Sequence, residues 1–239
     1  MEYKKEEIIQ ITIAIVIAAL IFSFTEWGAT KFNINTGLLN FTRALLISIP
    51  IFFLRSLSQK YLAKKYDSSV EFTLPSMDSV KNTIRYFGPI ITIFVTLITN
   101  GKFFLPLLSS FNLKTNRTLR VGRKWANIRE FEIAKIGLAG ILSDIFLLTI
   151  FRLALPFSEF FFSKAIFIAS SLAIFHLLPI PKLDGERIFF GSRPLYVTTL
   201  VFTITYIALI QIAPITFALL AAVVLGAVIC FRYMYNSLS

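Results

Sequence analysis

Long apolar stretches alternate with short polar ones along the whole chain. Between Ile8 and Phe24, Gln10 is the only strongly polar residue. A stretch of this length is enough to cross the hydrocarbon core of a bilayer, which takes about 20 residues as a helix. The pattern recurs and predicts six membrane-spanning helices, at roughly residues 8–25, 40–62, 130–152, 161–178, 195–212 and 214–231.

The second of these helices is the least regular. Its apolar part, "ALLISIPIFFL", is only 11 residues long and contains Pro50. Proline removes one backbone hydrogen bond and bends a helix. We therefore expect a kink at Pro50 and an extension of the helix into the polar sequence that follows.

Residues 70–113 have a different character. The runs "VEFTL" and "ITIFVTLIT" are rich in β-branched and aromatic residues, which is typical of strands. Open strands are not viable in contact with lipid, so this segment must pack against protein or lie at the interface. The predicted fold is an all-α polytopic membrane protein, a single membrane domain over residues 1–239. It carries a small strand-containing or re-entrant insertion at 70–113.

The basic residues predict the orientation. Lys and Arg outnumber Asp and Glu by 24 to 13. With six spanning helices and a non-crossing insertion, 20 of the 24 lie on one side, and the other side holds Lys31, Arg43, Arg152 and Lys164. The positive-inside rule makes the basic side cytoplasmic. We expect a multi-pass plasma membrane protein with both termini and a basic loop, residues 114–129, in the cytoplasm.

The charge also bears on partners. No aromatic-basic RNA motif accompanies it, so no nucleic acid is expected, and the lipid bilayer is the first partner. The basic loop fits contact with anionic headgroups, and an acidic surface of a membrane-protein partner is the alternative. Cys230 is the only cysteine, which excludes an intrachain disulfide and a cysteine-based zinc site. No cofactor is expected.

A short polar motif interrupts the apolar sequence at residues 176–185, "HLLPIPKLDG". It resembles the Asn-x-x-Pro-x-Pro-x-x-Asp-Gly signature of the site-2 proteases, which are intramembrane zinc metalloproteases. Pro179, Pro181, Asp184 and Gly185 match the signature, and His176 replaces its asparagine. An ordinary helix stop followed by a turn is the alternative interpretation.

Two further stretches extend the resemblance. "GLAGILSD", residues 137–144, resembles the family's Ala-Gly-Pro-x-x-Asn helix and lies one helix earlier. "NGKFFLPLL", residues 100–108, resembles the strand-containing insertion between the family's two catalytic segments. The resemblance covers roughly residues 40–195 and implies the family's fold.

The catalytic half of the family's site is missing. In the family, the second helix carries His-Glu-x-x-His, in which two histidines one turn apart bind zinc and the glutamate activates water. Here the sequence Arg55-Ser56-Leu57-Ser58-Gln59 stands at that position. Arginine cannot bind a metal, and serine cannot replace the glutamate as a base. We therefore predict neither a metal site nor hydrolysis, with Arg55, Ser56, Gln59 and Asp184 as degenerate active-site positions.

The resemblance then implies a non-catalytic membrane protein, a pseudoprotease. The family's cleft adds an extended peptide to a strand edge, which needs no zinc. The chain would bind or shield transmembrane segments of a client, or serve as a subunit or assembly factor of a larger membrane complex. The residues expected to line the cleft are His176, Pro179, Pro181, Gly185 and Asp144.

The alternative is an intramembrane protease with displaced catalytic ligands. Asp144 lies deep in a spanning helix, where acids are functional candidates. It could form an aspartyl dyad with Asp184, or His176 and Asp184 could hold a metal. A protonated or hydrogen-bonded acid and a histidine bonded to the backbone are the plainer interpretations.

The substitutions also predict a contact. A lone carboxylate at the depth of Asp184 would be costly, whereas a pair of arginine and carboxylate is locally neutral. We expect Arg55 to contact Asp184 directly, with Gln59 hydrogen-bonded nearby. In the alternative, Arg55 reaches out to the cytoplasmic headgroups and Asp184 only caps a turn.

The predicted orientation can be tested with single cysteines introduced at Thr118 and at Ser239 in a Cys230→Ser background. Neither should react with a membrane-impermeant thiol reagent in intact cells, and both should react after permeabilisation, because both positions are predicted to be cytoplasmic. Labelling at Thr118 alone would mean that residues 84–99 cross the bilayer.

Overall fold

The computed structural model describes residues 3–28, 32–76, 86–115 and 128–238. Two short 3-10 turns follow the first and fourth helices, at Phe24–Glu26 and Leu155–Phe157. In chain order the elements are α1 (Lys5–Ser23), α2 (Ile34–Lys65), β1 (Ser68–Thr73), α3 (Phe87–Ile98), β2 (Ser110–Thr115), α4 (Glu130–Leu153), α5 (Glu159–His176), α6 (Asp184–Gly191), α7 (Arg193–Ile210) and α8 (Ile215–Leu238).

Six of these helices have the length and the apolar composition needed to span a membrane, namely α1, α2, α4, α5, α7 and α8. They correspond to the six predicted segments. Their ends follow local signals. The side chain of Asn33 accepts from the first backbone N–H groups of α2, and Ser192 does the same at the start of α7.

Helix α2 is 32 residues long and continues through Pro50. It begins at Ile34, six residues before the predicted start, because Asn33 supplies a cap there. It also extends into the polar sequence as expected. Its buried face carries Ile47, Ile51, Arg55 and Gln59, four residues apart, which places two polar side chains in line with the apolar core.

The prediction of a strand at residues 91–99 is wrong, because most of this run lies in helix α3. Inside a bilayer a helix satisfies its own backbone groups, and this constraint outweighs the strand preference of β-branched residues. The hydroxyl groups of Thr92 and Thr96 donate hydrogen bonds to backbone carbonyl oxygens one turn earlier in the helix, at 2.9 and 2.8 Å. With 12 residues, α3 is about 18 Å long and too short to cross the core by itself.

After α3 the chain turns sharply and returns as an extended segment. Asn100 and Gly101 have φ angles of 51° and 71°. Gly101 lies against Phe24 and Thr25, which directly follow the C-terminal end of α1. Lys4 precedes the opposite end of this helix. The hydroxyl of Thr92 holds the returning chain by bonding Leu105 O at 2.8 Å and Leu107 N at 3.0 Å.

This hairpin corrects one detail of the charge count. Lys102 follows Gly101 directly, so it lies at the level of the far end of α1 and not beside Lys4. In the partition predicted from the sequence, Lys102 therefore moves to the smaller group, with Lys31, Arg43, Arg152 and Lys164. The imbalance remains large, and the predicted orientation does not change.

The two strands form the only sheet in the described ranges. They pair antiparallel, from Ser68 opposite Thr115 to Thr73 opposite Ser110. The strand predicted around "VEFTL" is therefore present as β1. Of the predicted basic loop 114–129, residues 116–127 lie outside the described part of the chain.

Helix α4 is the centre of the bundle. It packs against α2, α5 and α6, while α1 packs against α2. Helix α8 packs mainly against α7, and most of its large apolar side chains stay exposed. The short helix α6, which the sequence did not predict, therefore lies directly against the central helix.

Candidate functional site

The most unusual feature of the interior is a fully buried arginine. Arg55 lies on α2 and has no exposed surface. Its Nη1 donates to Asp144 on α4, and its Nη2 donates to Asp184 at the start of α6. Its Nε donates to Ser109, just before β2, at 3.1 Å. One guanidinium thus joins four segments that are distant in sequence.

Two further side chains complete this group. Gln59, one turn after Arg55, donates from Nε2 to Oδ2 of Asp184 at 2.8 Å. Nδ1 of His176, the last residue of α5, lies 3.4 Å from Oδ2 of Asp144. We call the six residues the Arg55 cluster. They are Arg55, Gln59, Ser109, Asp144, His176 and Asp184.

Glycines make room for the cluster. A Cβ atom on Gly140 would lie 2.5 Å from Nε2 of Gln59 and 2.8 Å from Oδ2 of Asp184. A Cβ atom on Gly185 would overlap the carbonyl oxygen of Leu177. The first glycine lets α4 approach the polar side chains, and the second lets α6 pack against the end of α5. Close packing therefore explains why a glycine follows the aspartate in the Asp-Gly pair of the motif.

Some polar atoms of the cluster have no hydrogen-bond partner within the described residues. They are the Oδ1 atoms of Asp144 and Asp184 and Nε2 of His176. All three belong to side chains with no exposed surface. Buried polar atoms without a hydrogen-bond partner are costly.

The chemistry open to the cluster is narrow. A guanidinium donates hydrogen bonds and does not bind metals, and here it occupies one oxygen of each acid. The described ranges contain no group of three or more His, Cys, Asp or Glu side chains placed to hold a metal ion. Ser56, at the position of the family's glutamate, is buried beside Arg55. The geometry is that of a structural connection between helices.

The residues predicted to line a cleft differ in their burial. Asp144, His176 and Gly185 are buried, whereas Pro179 and Pro181 are exposed in the turn between α5 and α6. The structure therefore brings Asp144 and His176 to the Arg55 cluster and leaves the two prolines outside it.

Side chains also occupy the outer edges of the sheet. On β1, the N–H of Phe72 donates to Glu7 at 2.8 Å and the N–H of Leu74 donates to Gln10 at 2.9 Å. Nζ of Lys60 donates to Oε2 of Glu7 at 2.7 Å and holds that carboxylate in place. On β2, the carbonyl of Phe111 accepts from Arg187. Adding a peptide strand at Phe72 and Leu74, or at the carbonyl of Phe111, would require these side chains to move.

Arg187 is held at this edge by its surroundings. Its guanidinium carbon lies 3.6 Å from the centre of the Phe111 ring. Burial lowers the pKa of Arg187, and the carboxylates of Asp184 and Glu186 act in the opposite direction. The side chain therefore adds a positive charge on the α6 side of Asp184.

No protein-family model, curated protein or solved structure matches the chain. The resemblance to the site-2 proteases accordingly depends on the residues quoted from the sequence.

The predicted contact between Arg55 and Asp184 is present, and so is the hydrogen bond from Gln59. The sequence did not predict the bond from Arg55 to Asp144, although an approach of Asp144 to Asp184 was among the alternatives. The signal was available in Asp144 itself, a deep intramembrane acid that needed a cation. Ser109 and Gly140 carried no comparable signal.

The link from Arg55 to Asp184 can be measured with a double-mutant cycle. Arg55→Met should destabilise the protein by about 3 kcal/mol, because it leaves the buried Asp144 and Asp184 without their cation. Asp184→Asn should cost less, because Arg55 keeps Asp144. The double variant should lose much less than the sum. Unfolding in detergent micelles gives the three values.

A distant substitution serves as the control for this cycle. Thr149→Val removes the hydroxyl that lies 2.6 Å from the Tyr206 hydroxyl, away from the cluster. Its effect should add to that of Arg55→Met within about 0.5 kcal/mol. Additive effects of Arg55→Met and Asp184→Asn would contradict the link.

The space made by Gly140 gives a second prediction. Gly140→Ala should destabilise the protein strongly, because the new methyl group would displace Gln59 and Asp184. Gly137→Ala, one turn earlier on α4, is the matched control, since its Cβ would approach atoms no closer than 3.3 Å. Thermal unfolding of both variants in detergent compares them. Equal losses would show that the cluster does not limit the packing of α4.

Proposed function

We propose that this chain is a non-catalytic, site-2-protease-like membrane protein. In this proposal it binds or shields transmembrane peptide segments, or it serves as a subunit or assembly factor of a larger membrane complex. The supporting observation is the Arg55 cluster. The acid of the Asp-Gly motif accepts from an arginine and a glutamine at the two positions where the family has its zinc-binding histidines.

This arrangement favours a structural role for the former centre. The guanidinium is a permanent cation and neutralises a carboxylate that would otherwise need a metal or a proton. It also ties α2 to α4 and α6, so that the elements around the centre form a rigid unit. An interior held together by these ion pairs fits a protein that holds a partner and does not process it.

The orientation and the membrane belong to the same proposal. We place both termini in the cytoplasm of a plasma membrane protein. The support comes from the excess of basic residues on the side of Lys4, which remains large after Lys102 is moved to the other side.

The side-chain contacts along β1 bear on how a partner would bind. Glu7 and Gln10 accept from the N–H groups of Phe72 and Leu74, which an added strand would need. A partner that packs as a helix against exposed apolar surface meets no such obstacle. Phe190, on α6 and 71% exposed, is part of such a surface close to the Asp-Gly motif.

The alternative function is an intramembrane aspartyl protease. The observation that favours it is the approach of Asp144 and Asp184 to the same guanidinium. An aspartyl dyad works because two acids share a proton and activate a water between them. In this structure Arg55 lies between the acids, which is the reason that we prefer the non-catalytic function.

Metal content and proteolysis separate the two functions. Protein purified in detergent should contain no stoichiometric zinc and should not cleave a transmembrane reporter substrate in cells. Stoichiometric zinc that is lost in Asp184→Ala would contradict the proposal. So would reporter cleavage that disappears in both Asp144→Asn and Asp184→Asn.

Partner binding is tested by a photo-crosslinking amino acid at Phe190, with Val224 as the matched control. Val224 is 57% exposed on α8, which packs mainly against α7. We expect one dominant membrane-protein product from position 190 and none from position 224. Identical products from both positions, or none from either, would contradict a partner at the α6 surface.

A further inference from the structure

A groove lies between strand β2, the start of α4 and helix α6. Its volume is about 700 Å³, and among the described residues its lining consists of Leu113, Glu130, Ile133, Glu186, Arg187 and Phe190. None of the six belongs to the Arg55 cluster. The walls come from three elements that are distant in sequence, so the groove is a product of the fold.

Two contacts fix the place of the groove in the molecule. A Cβ atom on Gly191, the last residue of α6, would lie 2.4 Å from the carbonyl oxygen of Glu130, so α6 ends against the first turn of α4. Strand β2 pairs with β1, and Glu71 of β1 accepts from Lys4. The groove therefore lies on the side of Lys4, which is the side that we place in the cytoplasm.

Part of the groove is apolar. Leu113 and Ile133 are half-buried in its wall. Phe190 is 71% exposed, so most of its ring has no contact within the described part of the chain. Covering an exposed phenylalanine is favourable because it removes apolar surface from water. The groove thus offers an apolar contact to a partner.

The same groove carries acidic charge. Glu130 is exposed and forms no ion pair with a residue of the described ranges. Glu186 uses one oxygen to accept from the N–H of Lys182 at 2.6 Å.

One cation, Arg187, is present among the described lining residues. Its guanidinium donates to the carbonyl of Phe111 and lies 3.6 Å from the centre of the Phe111 ring. With two carboxylates and one guanidinium, the lining has a net negative charge. This charge is opposite to the excess of Lys and Arg on the same side of the bundle.

An apolar wall beside two carboxylates matches the cytoplasmic end of a transmembrane helix. Such ends carry Lys or Arg directly after the apolar span. The last apolar residues would cover Phe190, and the basic residue that follows would lie against Glu130 and Glu186. Opposite charges across an interface favour the matching partner, and like charges reject the wrong one. The same two carboxylates would repel an anionic lipid headgroup.

We propose that the groove binds the basic cytoplasmic end of a transmembrane helix from another protein. The inference rests on the proposed function, in which the chain binds or shields transmembrane segments, and it names the chemistry of the segment that is recognised. Glu130 and Glu186 select the basic residues, while Ile133 and Phe190 contact the apolar residues before them.

The full-length protein tests this inference with a defined probe. It carries a photo-crosslinking amino acid at Phe190 and is reconstituted in phosphatidylcholine vesicles, which have no net charge. The probe is a synthetic helix of about 20 Leu and Ala residues that ends in two lysines, and the matched peptide ends in two glutamines. The lysine peptide should give about fivefold more crosslinked product, because two exposed ion pairs contribute on that order.

Two variants assign this preference to the groove. In the double variant Glu130→Gln/Glu186→Gln both peptides should give equal yields, and a glutamine at 186 keeps an oxygen for the N–H of Lys182. Glu6→Gln is the matched control, because Glu6 is an exposed acid in the first turn of α1 and lies outside the groove. Its replacement should leave the preference unchanged.

Equal yields from the two peptides in the otherwise unchanged protein would overturn the inference, although the surface would still bind a transmembrane segment as the proposed function requires. A preference that persists in the double variant would overturn it as well. So would product from neither peptide, and the cellular crosslink from position 190 tests the proposed function independently. A crosslink to residues 114–129 of the same chain, or to a second copy, in place of the peptide product would assign the groove to a different occupant and reject the inference.

Discussion

The need to compensate Arg55 organises the interior of this protein. A guanidinium remains charged at any accessible pH, so once α2 carries it into the bundle, the surrounding chain must supply acceptors. Those acceptors come from α4, from α6 and from the segment before β2. The helices around the centre are thus held by polar contacts as well as by apolar packing.

Close packing makes this arrangement possible. Hydrophobic association between helices is weak in lipid, so small residues and polar links carry much of the specificity. Gly140 and Gly185 let the backbone of α4 and α6 approach the cluster and the end of α5. In the proposed relation to the site-2 proteases, the same region would hold a metal. Here Arg55 and Gln59 connect α2 to α4 and α6 through Asp144 and Asp184.

The returning hairpin shows how an extended backbone segment is satisfied inside the bundle. Helix α3 satisfies its own groups, and the hydroxyl of Thr92 bonds the extended chain that follows. At the sheet, the side chains of Glu7, Gln10 and Arg187 bond the backbone groups of Phe72, Leu74 and Phe111.

The sequence alone determined the six long apolar helices, because runs of apolar residues of that length have few other stable forms. It also determined that Arg55 and Asp184 should meet, because the quoted motifs place them together and each charge needs a partner. Helix α3 was beyond it, since β-branched residues favour a strand locally and only an apolar environment favours a helix. The bond between Arg55 and Asp144 was beyond it too. Asp144 joins the cluster because α4 packs against both α2 and α6, and such a three-way contact is decided by tertiary packing.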